Sequence, residues 1–429
     1  MNLNLTEIIN LINHNKFHES LNLINKLENN HKENFDLINI KGFVFLRLYE
    51  FEKAIDYLTK ALQQKKDSFL TLCYRSAAYS EMGDYEKALA DLKNANSIEP
   101  DSHKILFSIG QVYSNLGNNN KAIEYFLKSI ENKDDFDEAI EYIIIKLSEI
   151  NTFKKESNKF IETNLLINKI QYDYSHSKKI EESTIKSIFD KANTMIEKKF
   201  KNLKTSQTQT FRRNRDLLNC DRHFIVFNKF QAIPKFCFSC FKVTIELQNV
   251  IDLIKLYLIF ENISLTRNNI RKCMIESRAD VKGNYKGFIY CNSLEEAKTI
   301  QKQLKTLIEK NISSNFVPEI KRGCSEFGMK YPKYKDYEHD SMEYEQNWSK
   351  FENIVDKKFP KFLSNKKNRE TSKGINLRDI LIIKNWLLFA KLIGDDSYKR
   401  ITNEKLVNGN IDKQFLNKIE SINNNQTKK

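Results

Sequence analysis

The apolar positions of the first 150 residues recur with a helical period. In DYEKALADLKNANSIEP (84–100), one helix face carries Tyr85, Ala88, Leu92 and Ala95. The same order of an aromatic, a small, a large apolar and a small residue returns every 34 residues, with Asn119 in the last aromatic position. The positions in register are Phe17, Phe51, Tyr85 and Asn119; Ser20, Ala54, Ala88 and Ala122; Ile24, Leu58, Leu92 and Phe126; and Leu27, Ala61, Ala95 and Ser129. Small residues let two helices approach closely, so this register predicts stacked helix pairs.

This repeat resembles the tetratricopeptide repeat (TPR) family over residues 1–150. That family has a small residue, followed one helical turn later by an aromatic residue, in the first helix of each pair. The matching pairs here are Gly42 and Phe45, Ser76 and Tyr79, and Gly110 and Tyr113. The first unit departs from the pattern, with Ile8 and Leu11 at these positions, and is expected to be a degenerate capping repeat.

The resemblance implies a solenoid whose concave groove binds a protein or a peptide and performs no catalysis. The residues that it places in the groove are Asn39, Phe43, Arg47, Cys73, Phe107 and Gln111. The Lys/Asn/Arg set with which some members hold a C-terminal carboxylate does not occur at the matching positions, so that ligand is not expected. A solenoid that only supports the rest of the chain is the simpler alternative.

Residues 151–204 keep a helical pattern and are predicted to form a connector that caps the solenoid. The stretch IKSIFDKANTMIEKKFKNL (185–203) repeats its apolar residues at helical spacing. The polar stretch KTSQTQT (204–210) is typical of a linker. It predicts a domain boundary near residue 205.

The pattern changes after residue 240 to strand, helix, two strands, helix and strand. The predicted bounds are 241–247, 249–263, 270–279, 285–292, 293–310 and 316–327. This βαββαβ order predicts a ferredoxin-like α/β sandwich over 241–328, with both helices on one face of an antiparallel sheet, and an α+β chain as a whole. Residues 329–429 are predicted to add a Tyr-rich segment that wraps the sheet, followed by C-terminal helices, the clearest at 376–396.

The charge is divided unevenly along the chain, whose net charge is +14. Residues 1–150 hold 17 basic and 23 acidic residues, and residues 151–429 hold 53 and 33, a balance of +20. A basic half attracts nucleic acid, a membrane surface or an acidic partner, although a solvated lysine-rich surface is the simpler interpretation. No signal-peptide pattern and no apolar stretch of membrane-spanning length occurs, which predicts a cytoplasmic protein without membrane insertion.

Six of the seven cysteines follow residue 219. Two metal-ligand pairs, Cys220-x-x-His223 and Cys237-x-x-Cys240, lie within CDRHFIVFNKFQAIPKFCFSC. Zinc prefers a tetrahedron of Cys and His ligands, and each pair can place two ligands on one ion. We therefore predict a small zinc-binding module over 205–240 that uses these four ligands.

A second ligand set follows from the predicted sheet, whose topology gathers five cysteines at one end. These are Cys237, Cys240, Cys273, Cys291 and Cys324. The alternative to the two-pair site is a four-cysteine zinc site or an iron–sulfur cluster on all of them except Cys273. The simplest interpretation of Cys273, Cys291 and Cys324 is that they are small core residues.

The sheet face opposite the helices is predicted to carry basic and aromatic side chains. The stretch YKGFIYCNSLEEA (285–297) resembles the RNA-recognition-motif family, in which a basic residue, a glycine and an aromatic residue precede a helix. The first strand, KVTIEL, departs from that family because it lacks the stacking aromatic residue. The candidate residues for an anion or RNA are Arg278, Lys286, Phe288, Tyr290 and Arg322.

The chain has no P-loop, no G-x-G-x-x-G and no G-x-S-x-G motif. We therefore predict a non-enzymatic TPR adaptor whose basic C-terminal domain is built on a structural zinc site. The alternative is an enzyme of unassigned reaction whose repeats recruit a protein or polymer substrate, and RNA binding by the sheet is a third interpretation.

Overall fold

The structure, a computed structural model, consists of two compact units. It describes residues 5–28, 31, 33–150, 158–172, 174, 179–213, 219–338, 341–363, 370–402, 409–411 and 413–426. Unit 1 comprises 1–140, 219–226 and 350–367, and unit 2 comprises 141–218, 227–349 and 368–429. Within the described residues, no helix is both long enough and apolar enough to cross a membrane.

Unit 1 is built on helix pairs that recur at a fixed interval. Its helices are α1 Thr6–Asn13, α2 Phe17–Glu28, α3 Phe35–Arg47, α4 Phe51–Gln64, α5 Phe69–Met82, α6 Tyr85–Ile98, α7 His103–Asn115 and α8 Asn119–Asn132. The next helix, α9 Asp137–Leu147, begins in unit 1 and ends in unit 2. Helices α3, α5 and α7 begin 34 residues apart, and so do α2, α4, α6 and α8. The predicted register is thus confirmed. The degenerate first unit still packs, because Ile8 is buried in a cluster with Ile24, Leu37 and Val44.

The small residues of the register lie where paired helices touch. The fully buried ones are Ser20, Ala54, Ala88 and Ala122. A Cβ added to Gly42 would lie 2.6 Å from Cγ of Leu58, and one added to Gly110 would lie 2.5 Å from Cε1 of Phe126. Both distances are too short for real atoms, so a large residue of one helix fills the space that glycine leaves on its partner.

A later part of the chain completes unit 1. After helix α16 (Ser349–Lys358), the ring of Phe359 lies 6.1 Å from the ring of Tyr49 and 5.8 Å from that of Phe51. The Lys361 ammonium lies 2.5 Å from the Glu81 carboxylate. These residues therefore pack on the turns that join the paired helices, a contact that the sequence pattern does not indicate.

Unit 2 contains a five-stranded sheet in which all paired strands are antiparallel. The strands are β1 Gln209–Arg212, β2 Phe241–Leu247, β3 Arg271–Ile275, β4 Tyr285–Cys291 and β5 Glu319–Arg322. Their spatial order is β1-β3-β4-β2-β5. The helical array is thus followed by a small antiparallel sheet and helices.

The remaining helices are α10 Lys159–Asn168, α11 Glu182–Lys199, α12 Cys220–Phe230, α13 Val250–Asn262, α14 Leu294–Asn311, α15 Phe327–Lys330, α17 Leu377–Leu392 and α18 Leu416–Gln426. Leu256 and Phe260 of α13 pack against Gly287 in the middle of β4. Side chains alternate across a strand, so residues paired in register with Gly287 share this helix face. The opposite side of the sheet, here called the open face, carries Lys272 and Phe288.

Strand β1 corrects the interpretation of 204–210 as a linker. Thr205, Thr208 and Thr210 are buried, and Thr210 belongs to the strand. Trp386 of α17 donates its indole N–H to the carbonyl of Thr208 at 2.8 Å, and Asn385 donates to that of Thr205 at 3.0 Å. The stretch is polar in composition, but threonine favours strands, and α17 satisfies its backbone.

The register of the solenoid can be tested with a matched pair of substitutions on α6. Ala88 is fully buried against its partner helix, whereas Ala90 is exposed. We expect Ala88→Arg to destabilise the fold by about 3 kcal/mol or more, because a long charged side chain cannot fit there. Ala90→Arg should change stability by no more than about 0.5 kcal/mol. Chemical unfolding of both variants measures the difference, and equal stabilities would contradict the packing.

Candidate functional site

The groove predicted from the TPR resemblance is lined by aromatic contacts between successive first helices. Phe43 of α3 lies against Tyr74 of α5, with ring centroids 4.6 Å apart. Asn39 accepts a hydrogen bond of 2.9 Å from the Thr71 hydroxyl. Arg47 is exposed, with its guanidinium 5.2 Å from the ring of Phe17. This end of the array offers aromatic faces, an amide and one cation.

The other end of the groove is also aromatic. The half-buried ring of Phe107 lies 5.4 Å from the ring of Phe126 and 5.1 Å from that of Phe136. Gln111, one turn further along α7, is half-buried. Burial raises the pKa of Cys73 to about 11, so this thiol is neutral near pH 7. An extended peptide with apolar or aromatic side chains fits such a lining.

Two cations of unit 1 are held by internal partners. Arg75 donates from Nε and Nη2 to Asp91, at 2.8 Å and 2.7 Å. The Lys41 ammonium pairs with Glu28 and lies 4.7 Å from the ring centre of Tyr57. Both side chains stabilise the packing of neighbouring helices and are not available to a ligand.

The residues of the predicted zinc site fall in different parts of the structure. Cys220 and His223 lie on α12 in unit 1, and His223 is buried. Cys237 and Cys240 lie in unit 2, in a single 3-10 turn and directly before β2, and both are buried. Among the described residues, no three or more His, Cys, Asp or Glu side chains are placed so that they could hold a metal ion. Zinc therefore stays a prediction.

Three cysteines gather near one end of β2. The Cys237 thiol hydrogen-bonds to Cys324 and thereby lowers the pKa of that thiol. Cys240 packs on Gly323, where a Cβ would overlap its sulfur. The hydroxyl of the buried Tyr334 donates to the carbonyl of Cys237 at 2.9 Å. The thiols thus sit in a well-packed corner of unit 2.

The remaining two of the five cysteines, Cys273 and Cys291, lie on the helix face. Cys273 pairs in register with Gly287 and is fully buried, which raises its pKa well above the ordinary value. Burial also raises the pKa of Cys291 to about 12. Both are neutral thiols in the apolar layer between sheet and helices, the position expected of small core residues.

The candidate anion residues divide between the two faces of the sheet. Lys286 lies on the open face and pairs with the buried Glu276 at 3.0 Å, and Arg278 pairs with the same carboxylate at 2.9 Å. Phe288 and Tyr290 follow on β4 and are half-buried. Arg322 instead pairs with Phe241 in register, packs on its ring at 4.9 Å, and therefore lies on the helix face.

The sequence reasoning missed two residues of the open face, Phe211 and Lys272. Phe211 was hidden because 204–210 has the composition of a linker, although its alternation of Thr and Gln is a signal for a strand. Lys272 was not singled out because its importance comes from its neighbours across the sheet. Both belong to β1 and β3, which pair Phe211 directly with Lys272.

The comparisons with known proteins agree with the helical array. Residues 73–102 and 103–136 match the tetratricopeptide repeat family model. Two repeats similar to this family therefore lie within the helical array, over residues 73–136. No curated protein matches the chain.

Solved structures of low identity resemble part of this chain. MamA from residue 41 to its end, from Desulfovibrio magneticus RS-1, is 15% identical over 33% of this chain and 80% of its own, with a TM-score of 0.31. Another MamA crystal structure is 17% identical over 46% of this chain and 91% of its own, with a TM-score of 0.32. YrrB, described as a TPR protein with an unusual peptide-binding site, is 21% identical over 30% of this chain and 67% of its own, with a TM-score of 0.29.

The charge cluster around Glu276 has a testable pH dependence. Burial alone would raise the pKa of Glu276, but the hydrogen bonds from Arg278 and Lys286 outweigh it and lower the pKa from 4.5 to about 2. A carboxylate whose pKa falls on folding stabilises the fold above its unfolded pKa, and this stabilisation is lost as the pH falls toward the folded pKa.

We expect Glu276→Gln to lower the free energy of unfolding at pH 7 by about 1–3 kcal/mol. The difference in free energy of unfolding between this variant and the wild type should narrow as the pH falls from about 4.5 toward 2. Urea unfolding at several pH values measures it. Glu319→Gln is the control, because the Glu319 carboxylate is exposed and pairs with the exposed Lys321. A gap that is unchanged at low pH would contradict the assignment.

Proposed function

We propose that this protein is an interaction adaptor that binds an extended peptide segment of a partner in its TPR groove. The observation that carries the proposal is the aromatic lining formed by Phe43 with Tyr74 and by Phe107 with Phe136. The matched family model supports a binding role for the array. Because Arg75 and Lys41 are engaged internally, the groove offers mainly aromatic and apolar contacts, with Arg47 as an exposed cation at one end.

We also propose that residues 241–328 form a ferredoxin-like sandwich. The succession β2-α13-β3-β4-α14-β5 and the spatial order β3-β4-β2-β5 support this interpretation, with β1 added at the edge. A cytoplasmic location of the protein stays a prediction, and an enzymatic role for the C-terminal half stays the alternative.

The groove can be tested without knowing the natural partner. Peptides selected from a random library against the full-length protein should include sequences rich in aromatic residues. Gln111→Arg, which adds a long cation to the groove, should weaken their binding about tenfold or more. Gln63→Arg makes the same change at an exposed position of α4, a second helix, and should leave affinity unchanged. Isothermal titration with one selected peptide measures both. Equal weakening by the two variants, or by neither, would argue against the groove.

The zinc proposal is a structural site on Cys220, His223, Cys237 and Cys240. Its support is the spacing of two ligand pairs within 220–240 and the burial of three of the four side chains. Zinc would contribute stability here and no chemistry, since its binding energy is partly folding energy. The alternative ligand set also contains Cys237 and Cys240, but it has Cys291 and Cys324 in place of Cys220 and His223.

A series of single Cys→Ser variants separates the two sets. Cys220→Ser and Cys237→Ser should each release about one equivalent of zinc and lower the melting temperature, because the two pairs share one ion. Cys291→Ser and Cys324→Ser should retain the metal. Elemental analysis of the purified proteins measures this. Zinc that survives loss of Cys220 but not of Cys324 would move the site to the cysteines at the sheet end, and iron in place of zinc would indicate a cluster.

A further inference from the structure

A row of alternating aromatic and basic side chains crosses the open face of the sheet in unit 2. Phe211 of β1 pairs in register with Lys272 of β3, which pairs with Phe288 of β4. The Lys272 ammonium lies 5.7 Å from the ring centre of Phe211 and 5.2 Å from that of Phe288. Lys242 of β2 holds its ammonium 5.5 Å from the Phe288 ring on the other side. We call these four residues the open-face row.

More positive charge lies at the β1 end of the row. The guanidinium groups of Arg213 and Arg378 lie 5.0 Å and 5.8 Å from the ring centre of Phe211. Three cations, from the residue after β1, from β3 and from α17, therefore lie near one phenyl ring. The positive potentials of neighbouring cations add, so such a grouping favours the binding of an anion with several charges.

Two cations near the rings, Lys242 of the row and Arg378 of α17, are buried and form no ion pair with a described carboxylate. Lys242 is 8% exposed and Arg378 is 5% exposed, and in the described part of the chain neither forms an ion pair. The Lys242 ammonium lies 3.4 Å from the Ser325 hydroxyl. Arg378 donates to Gln207 at 3.2 Å, and its Nε has no hydrogen-bond partner. Burial lowers the pKa of both side chains, and the nearby carboxylates of Glu326 and Asp379 oppose this lowering only in part.

We propose that the open-face row binds single-stranded nucleic acid, with bases stacked on Phe211 and Phe288 and phosphates held by Lys272, Lys242 and Arg378. Every base has a ring face that stacks on an aromatic side chain, and the cations beside each ring can pair with the phosphate of the same nucleotide. This role goes beyond peptide binding by the solenoid and uses other residues.

The spacing of the two rings favours a single-stranded oligonucleotide over a mononucleotide as the ligand. Phe211 and Phe288 stand two strands apart, roughly 10 Å, so one nucleotide cannot stack on both rings. A duplex is disfavoured because its bases are already stacked and paired. The balance of +20 over residues 151–429 adds the long-range attraction that polyanions feel.

The row also differs from the anion face predicted from sequence. Lys286 and Arg278 are both paired with the Glu276 carboxylate, and Arg322 lies on the other face. The binding surface is therefore centred on β1, β3 and β4, on the side away from α13.

The experiment uses the full-length protein and a fluorescein-labelled oligo(U) or oligo(dT) of about twelve nucleotides, a length within the range that single-strand sites cover. Fluorescence anisotropy between about 50 and 200 mM salt should show binding. The logarithm of the association constant should fall linearly with the logarithm of the salt concentration. Lys272→Gln should weaken binding and reduce the salt slope by about one. Phe288→Ala should weaken binding roughly tenfold or more.

Lys302→Gln is the matched control, because Lys302 is exposed on α14 and makes the same charge change away from the row. It should leave the affinity within about twofold of the wild type. Circular dichroism and melting temperature check that Phe288→Ala is folded, and Lys272→Gln gives an independent reading if it is not. A duplex of the same length and free UMP and ATP serve as competitors.

Three outcomes would overturn the proposal. The first is no binding at the lowest salt. The second is equal weakening by Lys272→Gln and Lys302→Gln, which would assign binding to general charge. The third is competition by UMP or ATP at the same concentration as the oligonucleotide, which would assign the row to a free nucleotide. Full peptide binding by the Lys272→Gln variant would show that the solenoid is unaffected.

Discussion

One buried arginine joins three elements of unit 2 that are far apart in sequence. Arg212 of β1 donates to Asp379 of α17, at 2.8 Å, and to Glu261 of α13, and the Tyr257 hydroxyl donates to the same Asp379 at 2.9 Å. Burial alone would lower the pKa of Arg212, but the carboxylates of Asp379 and Glu261 raise it well above its ordinary value, so the guanidinium stays charged. Loss of Arg212 would leave two buried carboxylates without this cation, at a cost of about 3–5 kcal/mol.

This cluster determines which way the edge strand faces. Successive side chains of a strand point to opposite sides, so Arg212 on the helix face requires Phe211 on the open face. A shift of register by one residue would bring Phe211 into the ion cluster and expose the arginine. The residues just before this strand bond to α17, since Trp386 donates to the carbonyl of Thr208 and Asn385 donates to that of Thr205. The surface that we assign to nucleic acid thus depends on a charge cluster on the other side of the sheet.

The solenoid depends on a different constraint, the close approach of its paired helices. Gly42 and Gly110 admit Leu58 and Phe126 between paired helices. Arg75 is held by Asp91 across two helices of one pair, so its charge serves packing. Of the residues predicted to line the groove, Phe43 and Phe107 are half-buried aromatic side chains and Arg47 is an exposed cation.

The sequence by itself determined the elements whose partners are close along the chain. The 34-residue register was readable because solenoid repeats pack mainly on their neighbours, and the strands and helices after residue 240 were readable from their own periods. The tertiary structure alone decided the rest. The stretch that leads into β1 is covered by α17, far along the chain, whose Trp386 donates to the carbonyl of Thr208. Phe359 packs on Tyr49 and Phe51, and the face of Arg322 follows from its pairing with Phe241. Such long-range contacts leave no periodic trace in a sequence, because the residues that meet are set by the path of the whole chain.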